Sequence, residues 1–233
     1  MNSGKVVVLS CEHGGNQVPR TYEYLFENAE DVLNSHRGYD LGAMGLYDLI
    51  NSNYIAYKQC ATVSRLVVDI NRSLHRRTLF SEYTKSLPKS GKQQILENYY
   101  YAFRRPFAKK IEGFWRKNKT VLHLSVHSFT PELNGKIRQT DFGILYNPER
   151  EEEKNFAVLW KKQLNERLPH CRVRFNYPFR GKPDGHVRYF RDREENKYLG
   201  IEFEMNQKYA NNTEIKEQIA KCFHLTVEVW LKD

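Results

Sequence analysis

The stretch Val6-Val7-Val8-Leu9-Ser10-Cys11-Glu12-His13-Gly14-Gly15-Asn16-Gln17-Val18-Pro19 changes character halfway along. Its first half is apolar and β-branched, the composition of a buried strand, and its second half is a polar knot broken by two glycines and a proline. A strand that runs straight into Glu-His-Gly-Gly-Asn carries catalytic or metal-capable side chains to the carboxyl end of a sheet. In open α/β sheets, ligands bind at that end. The paired glycines allow a sharp turn and a close approach of backbone to ligand.

Working outward from this strand, further strands are expected at residues 54–58, 66–70, 121–127, 142–146, 173–176 and 198–205. Helices are expected from Tyr22 onward, over 40–50 with Asp40 as N-cap, over 93–117 with Pro106 as a kink, and over 149–168 and 214–231. Residues 71–91 and 177–193 read as loops. Strands alternating with helices argue for a single α/β domain over residues 1–233, with three α/β/α layers around a mixed central sheet.

The 233 residues are 40% hydrophobic and 28% charged, a globular composition with enough chain for one full core. The apolar runs fall far short of the ~20 residues a membrane span needs. The N-terminus has neither a signal-peptide nor a transit-peptide pattern, so a cytoplasmic location is expected. The four cysteines are far apart in sequence, which excludes a CxxC zinc or redox motif, and Cys11 is expected to be buried and structural. The net charge of +9 comes from basic pairs spread along the chain. No nucleic-acid module organises them, so they read as a surface that steers small anions, with no nucleic-acid or membrane partner expected. The sequence does not fix an oligomeric state.

The polar residues at expected strand ends form one inventory: Glu12, His13, Asn16, Arg65, Asn71, Arg72, His127, Ser128, Glu202 and Glu204. Two histidines with a third donor and one open position are how a catalytic zinc is held. A nearby carboxylate can take the proton of an activated water, and arginine forks match a substrate carboxylate. In the strand Val121–His127, period two sends Leu122, Leu124 and Val126 one way and His123, Ser125 and His127 the other. Glu202 and Glu204 likewise share one face of their strand.

Taken together, the segments SCEHGGNQVP, DLGA, SRLVVDINRS, SVHSFTP, GILYNPER and GIEFEMNQ resemble the N-formylglutamate amidohydrolase family, from Ser10 to about Tyr209. That family is in turn similar to the zinc carboxypeptidases and aspartoacylase. The resemblance implies a zinc-carboxypeptidase-like hydrolase fold. It implies a zinc or other divalent ion held by His13, Asn16 and His127, with Glu204 as general base. Asn71 and Arg72 would grip the substrate carboxylate, and Arg65 would stand where a second carboxylate-binding arginine could lie. Apart from the resemblance, Arg180 and Arg188 in the Gly/Pro-rich loop read either as lid residues touching substrate or as solvated side chains. An amide oxygen at Asn16 is a poor replacement for a carboxylate ligand, so Glu12 is an alternative third donor. The implied reaction cleaves the linear amide of a small anionic N-acyl amino acid, such as N-formylglutamate to formate and glutamate. Two alternatives stand beside it: a deacylase or carboxypeptidase acting on another carboxylate-bearing amide, and a non-catalytic basic protein binding anions or nucleic acid. His123 is expected to be structural, Asp40, though matched by the family pattern, is adequately explained as an N-cap, and Arg72 is expected either to bind substrate or simply to pair with Asp69.

Overall fold

The computed structural model describes residues 4–194 and 196–232. Strands β1 (Lys5–Cys11), β2 (Ile55–Cys60), β3 (Thr120–Phe129), β6 (Phe142–Leu145), β7 (Val173–Phe175) and β8 (Tyr198–Asn206) form one sheet. Two short strands, β4 (Glu132–Leu133) and β5 (Lys136–Ile137), form a separate hairpin. The sheet order is β2-β1-β3-β8-β6-β7. The first four of these strands are mutually parallel, and β6 turns the sheet mixed by pairing antiparallel to β8 and parallel to β7. The carboxyl ends of β1, β3 and β8 therefore lie side by side. The helices are α1 (Glu30–Leu33), α2 (Ala43–Leu49), α3 (Lys89–Ile95), α4 (Ala102–Arg116), α5 (Glu151–Arg167), α6 (His186–Arg191) and α7 (Thr213–Trp230).

The two faces of the sheet differ in chemistry because the strands alternate. One face presents Val7, Leu9, Leu122, Leu124, Val126, Leu199, Ile201 and Phe203 to α2, α5 and α7, and these residues share the main apolar core. The other face carries Val8, Val121 and Tyr198, which pack under Phe107, Ile111 and Phe190 of α4 and α6. Further toward the carboxyl ends that second face turns polar, with His123, Ser125, His127 and Glu204 buried on it. The α/β expectation and the three layers hold.

Four local expectations differ. Residues 177–193, read as a loop, contain the helix α6, whose buried His186, Val187 and Phe190 pack it onto the sheet. Residues 66–70 are buried but form turns, not a strand. Their backbone groups are satisfied outside the sheet: Ser64 Oγ accepts from the Leu66 N–H, Thr84 Oγ1 donates to the Val67 carbonyl, and the Asp69 N–H donates to the Leu79 carbonyl. The helix over 40–50 begins only at Ala43, after Gly42, whose φ of +80° suits glycine. The long helix over 93–117 is interrupted by a π-helical turn, Leu96–Tyr101, just ahead of Pro106. Pro106 itself falls near the start of α4, where the N–H it lacks would have bonded the Ala102 carbonyl.

Candidate active site

His13 leaves β1 directly into the Gly14-Gly15 turn. A side chain on Gly15 would collide with the Thr62 carbonyl, so only glycine lets this turn pass the segment that follows β2. His127 lies on β3, paired in register with Glu204 of β8, and Ser125 is paired with Glu202. The His13 and His127 rings face each other with centroids 5.2 Å apart. Between them lies Asp40, whose backbone N–H donates to the His13 carbonyl at 2.9 Å. Asp40 Oδ2 is 2.8 Å from His127 Nδ1 and 3.5 Å from His13 Nδ1.

Two hydrogen bonds decide which ring nitrogens face inward. His13 Nε2 is held by Asp69 Oδ1 at 2.7 Å. His127 Nε2 is held by Ser125 Oγ at 2.9 Å and lies 3.3 Å from Glu12 Oε2. Both Nδ1 atoms therefore point at Asp40, and His13 Nδ1 is buried with no hydrogen-bond partner. An orphaned buried nitrogen is costly unless a partner completes it. Two imidazoles and a carboxylate, each histidine backed by its own carboxylate, form the donor set and the supporting shell of a zinc-type site. With bonds of about 2.0–2.1 Å, tetrahedral ligand atoms stand roughly 3.3 Å apart. The two observed spacings to Asp40 bracket that value, so the residues fit a metal ion.

The carboxyls of Glu12, Asp40 and Asp69, packed against the histidines, are all held below their ordinary pKa. Burial pushes the Glu12 carboxyl up, but hydrogen bonds and charge from His127 and His186 outweigh it and hold it well below the ordinary range. Burial also opposes ionisation of Asp69, and Arg65 and His13 overcome it. Asp40 is likewise held down by His13 and His127 against its own burial. Burial favours a neutral His127, but Asp40 and Glu12 raise its pKa well above the ordinary value. Glu204 is the opposite case. Burial drives its pKa up to about 8, Asp40 and Glu202 push the same way, and its Oε2 is buried without a partner. Glu202 is raised as well, chiefly by burial.

A cavity of about 500 Å³ opens above these groups, lined by His13, Asp40, His127, Glu202 and Glu204 at its floor. Arg65, Arg72, Arg76, Arg138 and Arg180 stand around it, so it attracts anions. Arg65 is committed to two carboxylates, at 3.3 Å from Asp40 Oδ1 and 3.0 Å from Asp69 Oδ2. Arg72 lies 3.9 Å from Asp69, with a third of its side chain exposed. Asn71 turns inward, its Oδ1 accepting from the His186 N–H and its Nδ2 3.3 Å from His127 Nε2. Arg180 is exposed at the rim.

The structure brings His13, His127, Glu204, Asn71, Arg72, Arg65 and Arg180 to one cavity. Asn16 is not among them. It follows two glycines out of the cavity, and its Nδ2 donates to Asn34 Oδ1 at 2.8 Å. Asp40 occupies the place beside the histidines instead, and Glu12 stands behind His127 rather than within the triad. Reading Asp40 as an N-cap misses this, because α2 starts beyond Gly42 and leaves the Asp40 side chain free to turn inward. The DLGA segment in the family resemblance is the one sequence signal that marks it. Asp69, which could have been a surface partner of Arg72, is buried behind His13.

A sequence model of N-formylglutamate amidohydrolases matches residues 6–210. No curated protein matches the sequence detectably. Among solved structures, the Agrobacterium tumefaciens gene product Atu2144 superposes with a TM-score of 0.81 at 23% identity, over 98% of this chain and 91% of its own. The N-formylglutamate amidohydrolase of Ralstonia eutropha JMP134 superposes with a TM-score of 0.68 at 14% identity, over 98% of this chain and 96% of its own. At these identities the likeness is one of fold.

Proposed function

The chain belongs to the N-formylglutamate amidohydrolase family, hydrolases of amide C–N bonds, and we propose that it is a metal-dependent enzyme acting on an N-acyl acidic amino acid, with N-formylglutamate split to formate and glutamate. Zinc is the ion its donor set favours, held by His13, Asp40 and His127. Residues 1–233 act as one catalytic unit, a reading supported by the single large sheet to which β1 and β8 both contribute. A cytoplasmic setting suits its four free thiols. Among the described residues no helix is long and apolar enough to cross a membrane.

The observation that carries the metal is the buried, unpartnered His13 Nδ1 beside Asp40 and His127. When bound, the ion would polarise the scissile carbonyl and acidify an attacking water. Asp69 and Glu12 hold the two imidazoles by their outer nitrogens and fix the direction of the inner ones. Glu204 accepts the proton of the attacking water and returns it to the departing amine nitrogen. Its raised pKa reflects a carboxyl facing Asp40 and Glu202, and a cation between the histidines would restore its ionised form. Arg72 and Arg180, neither committed to two carboxylates as Arg65 is, take the substrate's own carboxylates.

Metal analysis of the purified protein, followed by a panel of N-acyl amino acids with and without added zinc, tests this reading. Zinc-stimulated release of formate from N-formylglutamate, with neutral N-formyl amino acids turned over far more slowly, is the expected result. Equal turnover of neutral and acidic amides would reject the acidic substrate, and full activity after exhaustive chelation would reject the metal.

A further inference from the structure

Arg104 of α4 is only 8% exposed, and no carboxylate of a described residue lies within 4 Å of it. Its Nη1 donates to the Arg72 carbonyl at 3.0 Å and to the Tyr100 hydroxyl. Its Nε and Nη2 make no hydrogen bond to a described residue. The guanidinium is stacked between Tyr100 and Tyr189, 5.1 and 5.0 Å from their ring centres. Cation–π contacts offset part of the cost of burying such a charge, but neutral partners do not balance it.

This side chain lines a second cavity, of about 900 Å³, separated from the catalytic one by the Arg76–Asp184 ion pair, whose residues line both. The other arginines around it are matched. Arg76 pairs with Asp184 at 3.1 Å, Arg105 with Glu97 at 2.7 Å and Arg188 with Asp192 at 2.6 Å. Lys109 also faces the cavity, as do Glu112 and the apolar surfaces of Leu74 and Ala108. The nine-tenths-buried charge on this cavity without an ion partner among the described residues is thus Arg104, and the unused edge of its guanidinium opens onto the cavity.

We propose that this second cavity is an anion-binding site, separate from the catalytic pocket, whose ligand carries an oxyanion head on an apolar or aromatic body. The head, a carboxylate or a phosphate, takes the unused edge of the Arg104 fork, which matches either planar or tetrahedral oxygens. The body lies along Leu74 and Ala108. Because Arg104 also holds the Arg72 carbonyl, occupancy of this site firms the main chain that carries a pocket arginine.

Inorganic phosphate and benzoate, titrated separately at constant ionic strength and followed by isothermal calorimetry and thermal unfolding, test the proposal on the full chain. Saturable binding of one or both probes is expected, weakened at least tenfold by Arg104→Gln. Leu74 is half exposed, so Leu74→Asp leaves the fold intact while placing a repelling charge at the mouth, and it weakens binding as well. Arg180→Gln, which alters only the catalytic pocket, leaves it unchanged. Binding of phosphate alone or of benzoate alone identifies which oxyanion the site takes. Absence of saturable binding by either probe overturns the proposal. So does binding that survives both Arg104→Gln and Leu74→Asp, or that Arg180→Gln abolishes.

Discussion

Two clusters of two histidines and a carboxylate lie beneath the same sheet face: His13, Asp40 and His127 in one, Glu12, His123 and His186 in the other. All six side chains are buried. In each cluster the candidate ligand atoms lie within 4.8 Å of one another. The difference is in how densely those atoms are bonded and in what they face. In the second cluster His186 Nδ1 is 2.7 Å from Glu12 Oε1, and His123 bonds Ser10 Oγ and the Tyr198 hydroxyl through its two nitrogens, at 2.6 Å each. Glu12 takes further hydrogen bonds from Ser10 and Ser125. Burial holds the pKa of both His123 and His186 below the ordinary value. A cation there would have to displace several of these bonds, where one in the first cluster would displace chiefly the 2.8 Å contact of His127 Nδ1 with Asp40. Each cluster keeps one buried nitrogen without a partner, His13 Nδ1 in the first and His186 Nε2 in the second, but the first lines the cavity that also holds Glu204 and the arginines, whereas the second lies beneath Phe103 and Phe107. Under the proposed function the first set is the metal site and the second its scaffold, and Glu12 joins them by bonding His186 on one side and backing His127 on the other.

The largest effect that would sharpen this contrast comes from the ligands. His13→Ala or His127→Ala is expected to abolish metal uptake and amidase activity with the fold retained, as read by metal analysis and circular dichroism. His123→Ala is expected to lower the melting temperature while metal still binds. Metal loss in His123→Ala alone would break the assignment of the two clusters.

Glu204→Gln should leave metal binding intact and lower kcat by about 10²–10⁴-fold, the usual contribution of a general base. Glu202→Gln should cost less. Glu204 also yields a stability signature. Its carboxyl is raised from 4.5 to about 8, so across that range the folded metal-free protein holds a proton the unfolded chain has lost. Stability from this group is therefore present below the unfolded value and falls as pH rises through the window. Metal-free Glu204→Gln should melt higher than the metal-free wild type near about pH 8, with the gap closing toward about pH 5. A gap that does not narrow toward low pH would contradict the buried, uncompensated state assigned to this side chain.

Smaller effects sit in the supporting shell. Glu12→Gln is expected to weaken metal affinity by about 10–100-fold in a chelator competition, because His127 loses the carboxylate behind it. Arg72→Lys should raise KM several-fold for acidic amides and leave their neutral analogues unaffected, since an ammonium cannot reproduce the planar fork. Equal changes for both substrates would remove Arg72 from carboxylate recognition.

Much of this arrangement is legible in the chain. The alternation in Leu122-His123-Leu124-Ser125-Val126-His127 fixes which residues share the polar face, and the same holds for Glu202 and Glu204. The in-register pairing of β3 with β8 then sets His127 beside Glu204. Asp40 is not legible in this way, because its partner is 87 residues away and its local context favours a cap. The contrast between the two clusters is equally hidden, since His123 and His186 meet around Glu12 only through tertiary packing. The buried run Leu66-Val67-Val68-Asp69-Ile70 reads as a strand because apolar composition alone does not report where backbone hydrogen bonds go. There the hydroxyls of Ser64, Ser81 and Thr84 replace a neighbouring strand.

The most direct measurement is the zinc stoichiometry of wild type, His127→Ala and His123→Ala by equilibrium dialysis with elemental analysis. The account predicts one zinc per chain in the wild type, none in His127→Ala and one in His123→Ala. Two zinc ions per wild-type chain, or loss of zinc in His123→Ala with retention in His127→Ala, would contradict it.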